Sequence, residues 1–160
     1  MTAVMLTVNG RTQTVEVEDR RLLADVLRND FGCYGVHFGC SHGACGCCTV
    51  HYDGVPRLSC LAFAAQCDGA TITTIEGIGT DGARHALQQA FIDQHGLQCG
   101  FCTPGFIMAL LPFVERAKEP TEDQIREAMS GNICRCTGYH GIVDAVRAAI
   151  RAHAQNGGAS

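Results

Sequence analysis

The 160-residue chain has no tryptophan, only three tyrosines and four prolines, and charged side chains make up just 18% of it. It lacks any run of 18 apolar residues, which excludes a membrane-spanning helix of the usual kind. It also lacks a basic run of five or six residues, and 12 Lys and Arg against 16 Asp and Glu give a net charge of -4. A nucleic-acid partner is therefore not expected. No GxxxxGK[ST] phosphate loop is present, and no His and carboxylate pair stands near a nucleophile, so nothing indicates substrate chemistry on this chain. Met1 to Val8 does not read as a secretory leader, and a cytoplasmic location is expected. What the chain does hold is cysteine, eleven in all. An odd count with no leader fits a reducing compartment, where cysteines serve as metal ligands or reactive thiols more often than in disulfides.

With 46% hydrophobic residues a packed core is feasible. Leu6 and Val8 alternate with Met5, Thr7 and Asn9, Asn9-Gly10 is a hairpin signal, and Thr12 to Val17 is the returning strand. Asp19 is placed to cap a helix carrying Leu22, Leu23, Val26 and Leu27. From Asn29 to Cys48 five glycines and five cysteines follow without a sustained period, the mark of a long structured loop. Thr49 to Tyr52, Asp53-Gly54 and Val55 to Leu58 form a second hairpin, and Thr71 to Ile75 a last strand. A Gly-rich connection, Glu76 to Gly82, marks a domain boundary, giving domains 1–77 and 78–160.

Beyond it the spacing turns helical. Ala83, Ala86, Leu87, Ala90 and Phe91 make one stripe ended by Gly96. Phe106, Ile107, Leu110, Leu111 and Val114 make a second after Thr103-Pro104. Thr121 with Gln124 forms a capping box before Ile125, Ala128 and Met129, stopped by Gly131. Ile142, Val143, Val146, Ala149 and Ile150 make the fourth stripe, with fraying expected from Ala152 through Gly157-Gly158. Four such helices imply a small bundle. There is no internal repeat.

The cysteines fall into sets. Cys40, Cys45, Cys48 and Cys60 are separated by four, two and eleven residues. The first two gaps are those of plant-type ferredoxins, whose loop wraps a 2Fe-2S cluster and receives a fourth thiolate from a separate element. Such a cluster with four thiolates carries a charge of about -2 when oxidised, and burial is tolerable only if backbone N-H groups turn toward the sulfurs. Gly39, Gly43 and Gly46 allow that approach. Zinc takes the same four thiolates, but its ligands usually come as two CxxC-like knuckles. Cys47 lies inside this motif; choosing it as a ligand would break the two-residue gap, so it reads as a small packed thiol. Cys99 and Cys102, a CxxC, and Cys134 and Cys136, a CxC, form a second set on loops flanking helices. Read alone, zinc and iron-sulfur are nearly level for this set, and a redox dithiol would expect a βαβ context that is absent.

Three runs, Gly39-Cys40-Ser41-His42-Gly43-Ala44-Cys45-Gly46-Cys47-Cys48-Thr49-Val50, Gln98-Cys99-Gly100-Phe101-Cys102-Thr103-Pro104-Gly105 and Gly131-Asn132-Ile133-Cys134-Arg135-Cys136-Thr137-Gly138-Tyr139, resemble in order and spacing the small iron-sulfur subunit of the molybdenum hydroxylases, the xanthine oxidase family. The resemblance runs from Leu6 to about Val146. It implies an α+β chain: an N-terminal β-grasp 2Fe-2S ferredoxin-like domain, then a C-terminal four-helix bundle with pseudo-twofold character and a second 2Fe-2S cluster. It implies an electron-transfer subunit serving a large molybdopterin-binding subunit, with the cofactor in its cytosine dinucleotide form, and a medium FAD-binding subunit, in a dimer of heterotrimers. Electrons would run from molybdenum through the bundle cluster and the outer cluster to FAD or an external acceptor. By the same resemblance Gln98 and Cys136 touch the pterin. Cys47 and His140-Gly141 depart from the common family pattern without removing a ligand. A zinc-stabilised interaction module and a free-standing ferredoxin are the competing functional readings.

Cys33 and Cys67 have no place in either set and read as small buried hydrophobes. His42, inside the first loop, is a candidate sulfur donor; His37, His51, His85, His95 and His153 read as surface or cap residues. Arg135 stands between two candidate ligands, suited either to offset their charge or to remain a plain surface residue.

Overall fold

A computed structural model describes residues 1–79 and 82–157. Thr80 and Asp81, inside the Gly-rich connection, and Gly158, in the expected frayed tail, lie outside the described residues. Among the described residues the fold is α+β, a five-stranded sheet and five α-helices. The chain opens with β1 (Thr2–Val8) and β2 (Arg11–Val17). They pair antiparallel through a turn in which Asn9 and Gly10 both take positive φ. That conformation matches the twist of a two-residue hairpin. Val4, Leu6 and Val8 are buried while Met5 is exposed, the alternation expected of a sheet with one covered face. Helix α1 (Leu23–Asn29) lays Leu23, Ala24, Val26 and Leu27 into the same core.

The second hairpin, β3 (Thr49–Tyr52) and β4 (Val55–Leu58), turns at Asp53-Gly54, again with positive φ at both. With β5 (Thr71–Thr73) the sheet order is β2-β1-β5-β3-β4, β1 and β5 being parallel and the other neighbours antiparallel. Helices α2 (Ala86–Asp93), α3 (Thr103–Arg116), α4 (Glu122–Ala128) and α5 (His140–Gly157) follow. Helices α2, α3 and α4 each pack on α5 around Leu87, Phe91, Phe106, Leu110, Ile125, Ile142 and Val146, all fully buried.

Several local expectations are corrected. Asp19 does not cap α1: its carboxylate accepts from the Thr2 hydroxyl at 2.6 Å, and the N-cap residue of α1 is Leu22, which makes no side-chain cap. The last strand stops at Thr73 rather than Ile75, because the Asn9 side chain takes over the pairing. Its Oδ1 accepts from the Thr74 N-H at 2.9 Å and its Nδ2 donates to the Thr74 hydroxyl at 2.8 Å. Helix α2 begins after Ala83, where His85 and Gln88 form a capping box. It ends at Asp93 rather than at Gly96, with His95 in the left-handed region and the Gly96 N-H closing on the Phe91 carbonyl at 2.8 Å. The tail does not fray at Ala152, since α5 continues to Gly157. The Thr121 and Gln124 capping box forms as the sequence indicates.

Candidate metal centres

The first cysteine loop runs from the end of α1 to the start of β3, and Cys48 is the residue before that strand. Cys60 lies in the single turn Ser59–Leu61 immediately after β4. The hairpin therefore returns Cys60 to Cys48. Cys40 is held differently: the N-H groups of Ala44 and Cys45 donate to its sulfur at 3.2 and 3.4 Å. The main-chain N-H of His42 has the largest effect, and with these donors it lowers the Cys40 thiol to about 6. They favour the thiolate, as converging N-H groups should. The His42 ring does not point at sulfur; its Nδ1 donates to the Cys40 carbonyl at 2.6 Å. Cys60, by contrast, is pushed up to about 12 by burial and by the neighbouring Cys48.

The second set gathers at one end of the helices. Cys102 is the N-cap residue of α3 and is buried, which pushes its thiol up to about 12. Cys134 sits under the Thr137 turn. Burial opposes ionisation there, but the Thr137 hydroxyl, 3.1 Å from the sulfur, and the Thr137 N-H, at 3.4 Å, lower the thiol overall. Cys99 and Cys136 are both exposed, with their sulfurs 3.5 Å apart.

The candidate thiols lie next to one another as Cys40 with Cys45, Cys48 with Cys60, Cys99 with Cys136, and Cys102 with Cys134, and Cys47 also stands beside Cys45. No group of three or more His, Cys, Asp or Glu among the described residues is gathered about one point as a single-ion site. Gln98 is exposed beside Cys99, and Arg135 is exposed between Cys134 and Cys136. Cys33 and Cys67 are buried, as expected of small packed thiols.

Sequence reasoning missed how closely the two sets approach. Cys47 belongs to the core of the helical half, although it lies in the loop of the other half. The Ile133 N-H donates to the Cys45 carbonyl at 3.0 Å, joining neighbours of both sets. His37 and His51 are not surface residues of the kind expected. His37 stacks on Phe101 at a centroid distance of 4.6 Å and donates from Nδ1 to the Phe101 carbonyl at 2.7 Å. His51 reaches the Met108 carbonyl in α3, also at 2.7 Å. Only His85 among these acts as a cap. Nothing in a one-dimensional pattern pairs residues 57 or 64 positions apart.

Comparison with known proteins identifies the class. A model described as a 2Fe-2S iron-sulfur cluster binding domain matches residues 6–70, and one described as a 2Fe-2S binding domain matches residues 74–147. An α+β chain with two successive domains of this kind is an iron-sulfur electron-transfer protein. The chain is 48% identical over 147 residues to the caffeine dehydrogenase subunit gamma of a Pseudomonas species, covering 90% of this chain and 88% of that one. It is 52% identical over 139 residues to the nicotine 6-hydroxylase small subunit of Paenarthrobacter nicotinovorans, covering 87% and 84%. Among solved structures, a chain of quinoline 2-oxidoreductase from Pseudomonas putida 86 superposes with a TM-score of 0.90 at 42% identity, covering 96% of each. The chain belongs to the small 2Fe-2S subunits of the molybdenum hydroxylases, oxidoreductases of several subunits with a large catalytic partner.

Proposed function

We propose that Cys40, Cys45, Cys48 and Cys60 hold one 2Fe-2S cluster and Cys99, Cys102, Cys134 and Cys136 a second. The observation that carries this is the pairing of the thiols, because each iron of such a cluster takes two protein thiolates. The surroundings fit the group. A Cβ added at Gly39 would meet the Cys45 sulfur at 2.9 Å, so the loop closes on that sulfur only because the side chain is absent. N-H donors already face Cys40, as they face Cys134. Thr103, next to Cys102, has a buried hydroxyl oxygen with no partner in the protein, a spare donor at the second set. When bound, each cluster supplies a one-electron carrier whose potential depends on such hydrogen bonds, burial and charge.

The clusters divide the chain into a β-grasp ferredoxin-like domain, residues 1–77, and a four-helix bundle domain, residues 78–160. Exposure of Gln98, Cys99 and Cys136 supports a bundle edge that meets the molybdopterin, as its cytosine dinucleotide, on the large subunit, with Gln98 and Cys136 in contact with the pterin. Electrons then pass through the bundle cluster to the ferredoxin-like cluster and on to FAD in a medium subunit. We place the complex in the cytoplasm as a dimer of heterotrimers. Because relatives act on caffeine and nicotine and a solved structure on quinoline, the complex is proposed to hydroxylate an N-heterocycle.

Metal and sulfide analysis tests the reading. The chain should carry about four iron and about four sulfide, with a brown absorption bleached by dithionite, and Cys102→Ser should lower iron to about two. Stoichiometric zinc without a visible band would overturn it. Purification with the large subunit is expected; a monomer without larger partners would favour a free-standing ferredoxin.

A further inference from the structure

Proline at position 112 lies inside α3. It has no N-H to give to the carbonyl four residues earlier, that of Met108, so the helix leaves this acceptor without its usual donor. Met108 is fully buried, and an acceptor at that depth without a partner is costly. The partner comes from the sheet. His51, half-buried in β3, places Nε2 2.7 Å from the Met108 oxygen. A carbonyl only accepts, so Nε2 carries the proton and donates.

The two elements joined by this bond each begin at a candidate cluster thiol. Strand β3 starts one residue after Cys48, and His51 is two residues further along it. Helix α3 starts at its N-cap residue Cys102, with Met108 six residues on. Short rigid segments therefore connect the hydrogen bond to a thiol of each set, and α3 packs directly across β3. We propose that His51 is a positioning residue for electron transfer between the two clusters: by donating to the Met108 carbonyl that Pro112 leaves free, it fixes the helix that starts at Cys102 against the strand that follows Cys48. This rests on the two-cluster reading above.

The test uses the complex purified with its partner subunits and reduced with dithionite. Two reduced clusters held close together interact magnetically, and low-temperature EPR reads the interaction as a splitting of their signals. His51→Leu should keep about four iron per chain, melt about 2–4 °C lower through loss of one hydrogen bond, and lose the splitting. His51→Gln, whose amide N-H can reach the same carbonyl, should restore the splitting. In His51→Leu/Pro112→Ala the helix supplies its own N-H to Met108, so the melting temperature should recover while the splitting stays lost. That double variant also serves if His51→Leu does not assemble. Wild-type splitting in the double variant, at full iron content, would overturn the positioning role and leave His51 a helix-capping donor only. A wild-type complex without four iron would instead overturn the two-cluster reading, and this one with it.

Discussion

The Asn132 amide donates to the Gly46 carbonyl at 3.1 Å, a buried bond between residues 86 positions apart that ties the two cysteine loops together. Gly46 stands between Cys45 and Cys47 with φ of 74°, and a Cβ there would meet the Gly131 carbonyl at 2.6 Å. Asn132 stands two residues before Cys134, so the bond spans the space between the sets. The Gly46 oxygen also accepts from the Thr49 hydroxyl at 2.7 Å. Asn132→Ala therefore does not orphan it, and the expected cost is that of one ordinary buried bond, about 0.5–1.5 kcal/mol. Denaturant unfolding of the cluster-loaded protein measures it, and an unchanged midpoint would show that the bond contributes nothing.

Gly105, in the first turn of α3, is where helix and loop backbones touch. An added Cβ would meet the Cys47 Cα at 2.8 Å. Backbone cannot swing aside as a side chain can, so Gly105→Ala should destabilise by about 1–3 kcal/mol. Gly131→Ala is the control: nothing lies within 4 Å of a Cβ there. A surface change of that sort should stay within about 0.5 kcal/mol of wild type. Thermal midpoints of the two variants, compared side by side, check both numbers.

Thiol reactivity separates the cysteines. Cys40 is lowered to about 6 by the N-H groups around it, whereas burial pushes Cys47, Cys60 and Cys102 up to about 12. Since the thiolate is the nucleophile, iodoacetamide at pH 7 should modify Cys40 of the cluster-free chain well before those three. Peptide mass spectrometry reads the order. In the cluster-loaded chain Cys40 should be protected; equal labelling with and without iron would remove it from the ligand set.

A pH effect is expected at the foot of α4. Glu122 is held below the ordinary carboxylate range, first by Arg126 at 2.8 Å and then by Arg147 of α5 at 3.0 Å. A carboxyl whose folded pKa is lowered adds stability above its unfolded pKa and loses it as pH falls through the folded one. The stability difference between wild type and Glu122→Gln should be present at pH 7 and close toward pH 3. Because the pair is exposed, high salt should shrink it too. Urea midpoints across that range decide it; a gap that widened on acidification would contradict the assignment.

Local chemistry was legible where neighbours in sequence settle it. The Asn9-Gly10 and Asp53-Gly54 turns, the alternation of Leu6 and Val8 with Met5, the Thr121 capping box and the stripe from Ile142 to Ile150 depend on chain stiffness, turn geometry and period. Asp19 failed because the Thr2 hydroxyl, brought beside it by the pairing of Thr2 with Val17, takes its carboxylate. Thr74 and Ile75 failed because a side chain, Asn9, replaced the backbone as pairing partner.

The cysteine spacing by itself set out two candidate groups of four thiols and the chemistry that suits the first, because the reach of a loop between ligands is a property of the covalent chain; for Cys99, Cys102, Cys134 and Cys136 it left zinc and iron-sulfur nearly level. Only the tertiary structure decided how the sets stand to each other. The seating of Cys47 in the helical core, the bond from Asn132 to Gly46 and the donation from His51 to a carbonyl that Pro112 leaves free all join residues far apart in the chain. Such contacts are fixed by packing and by the need to pair buried polar groups, neither of which is written at any one position.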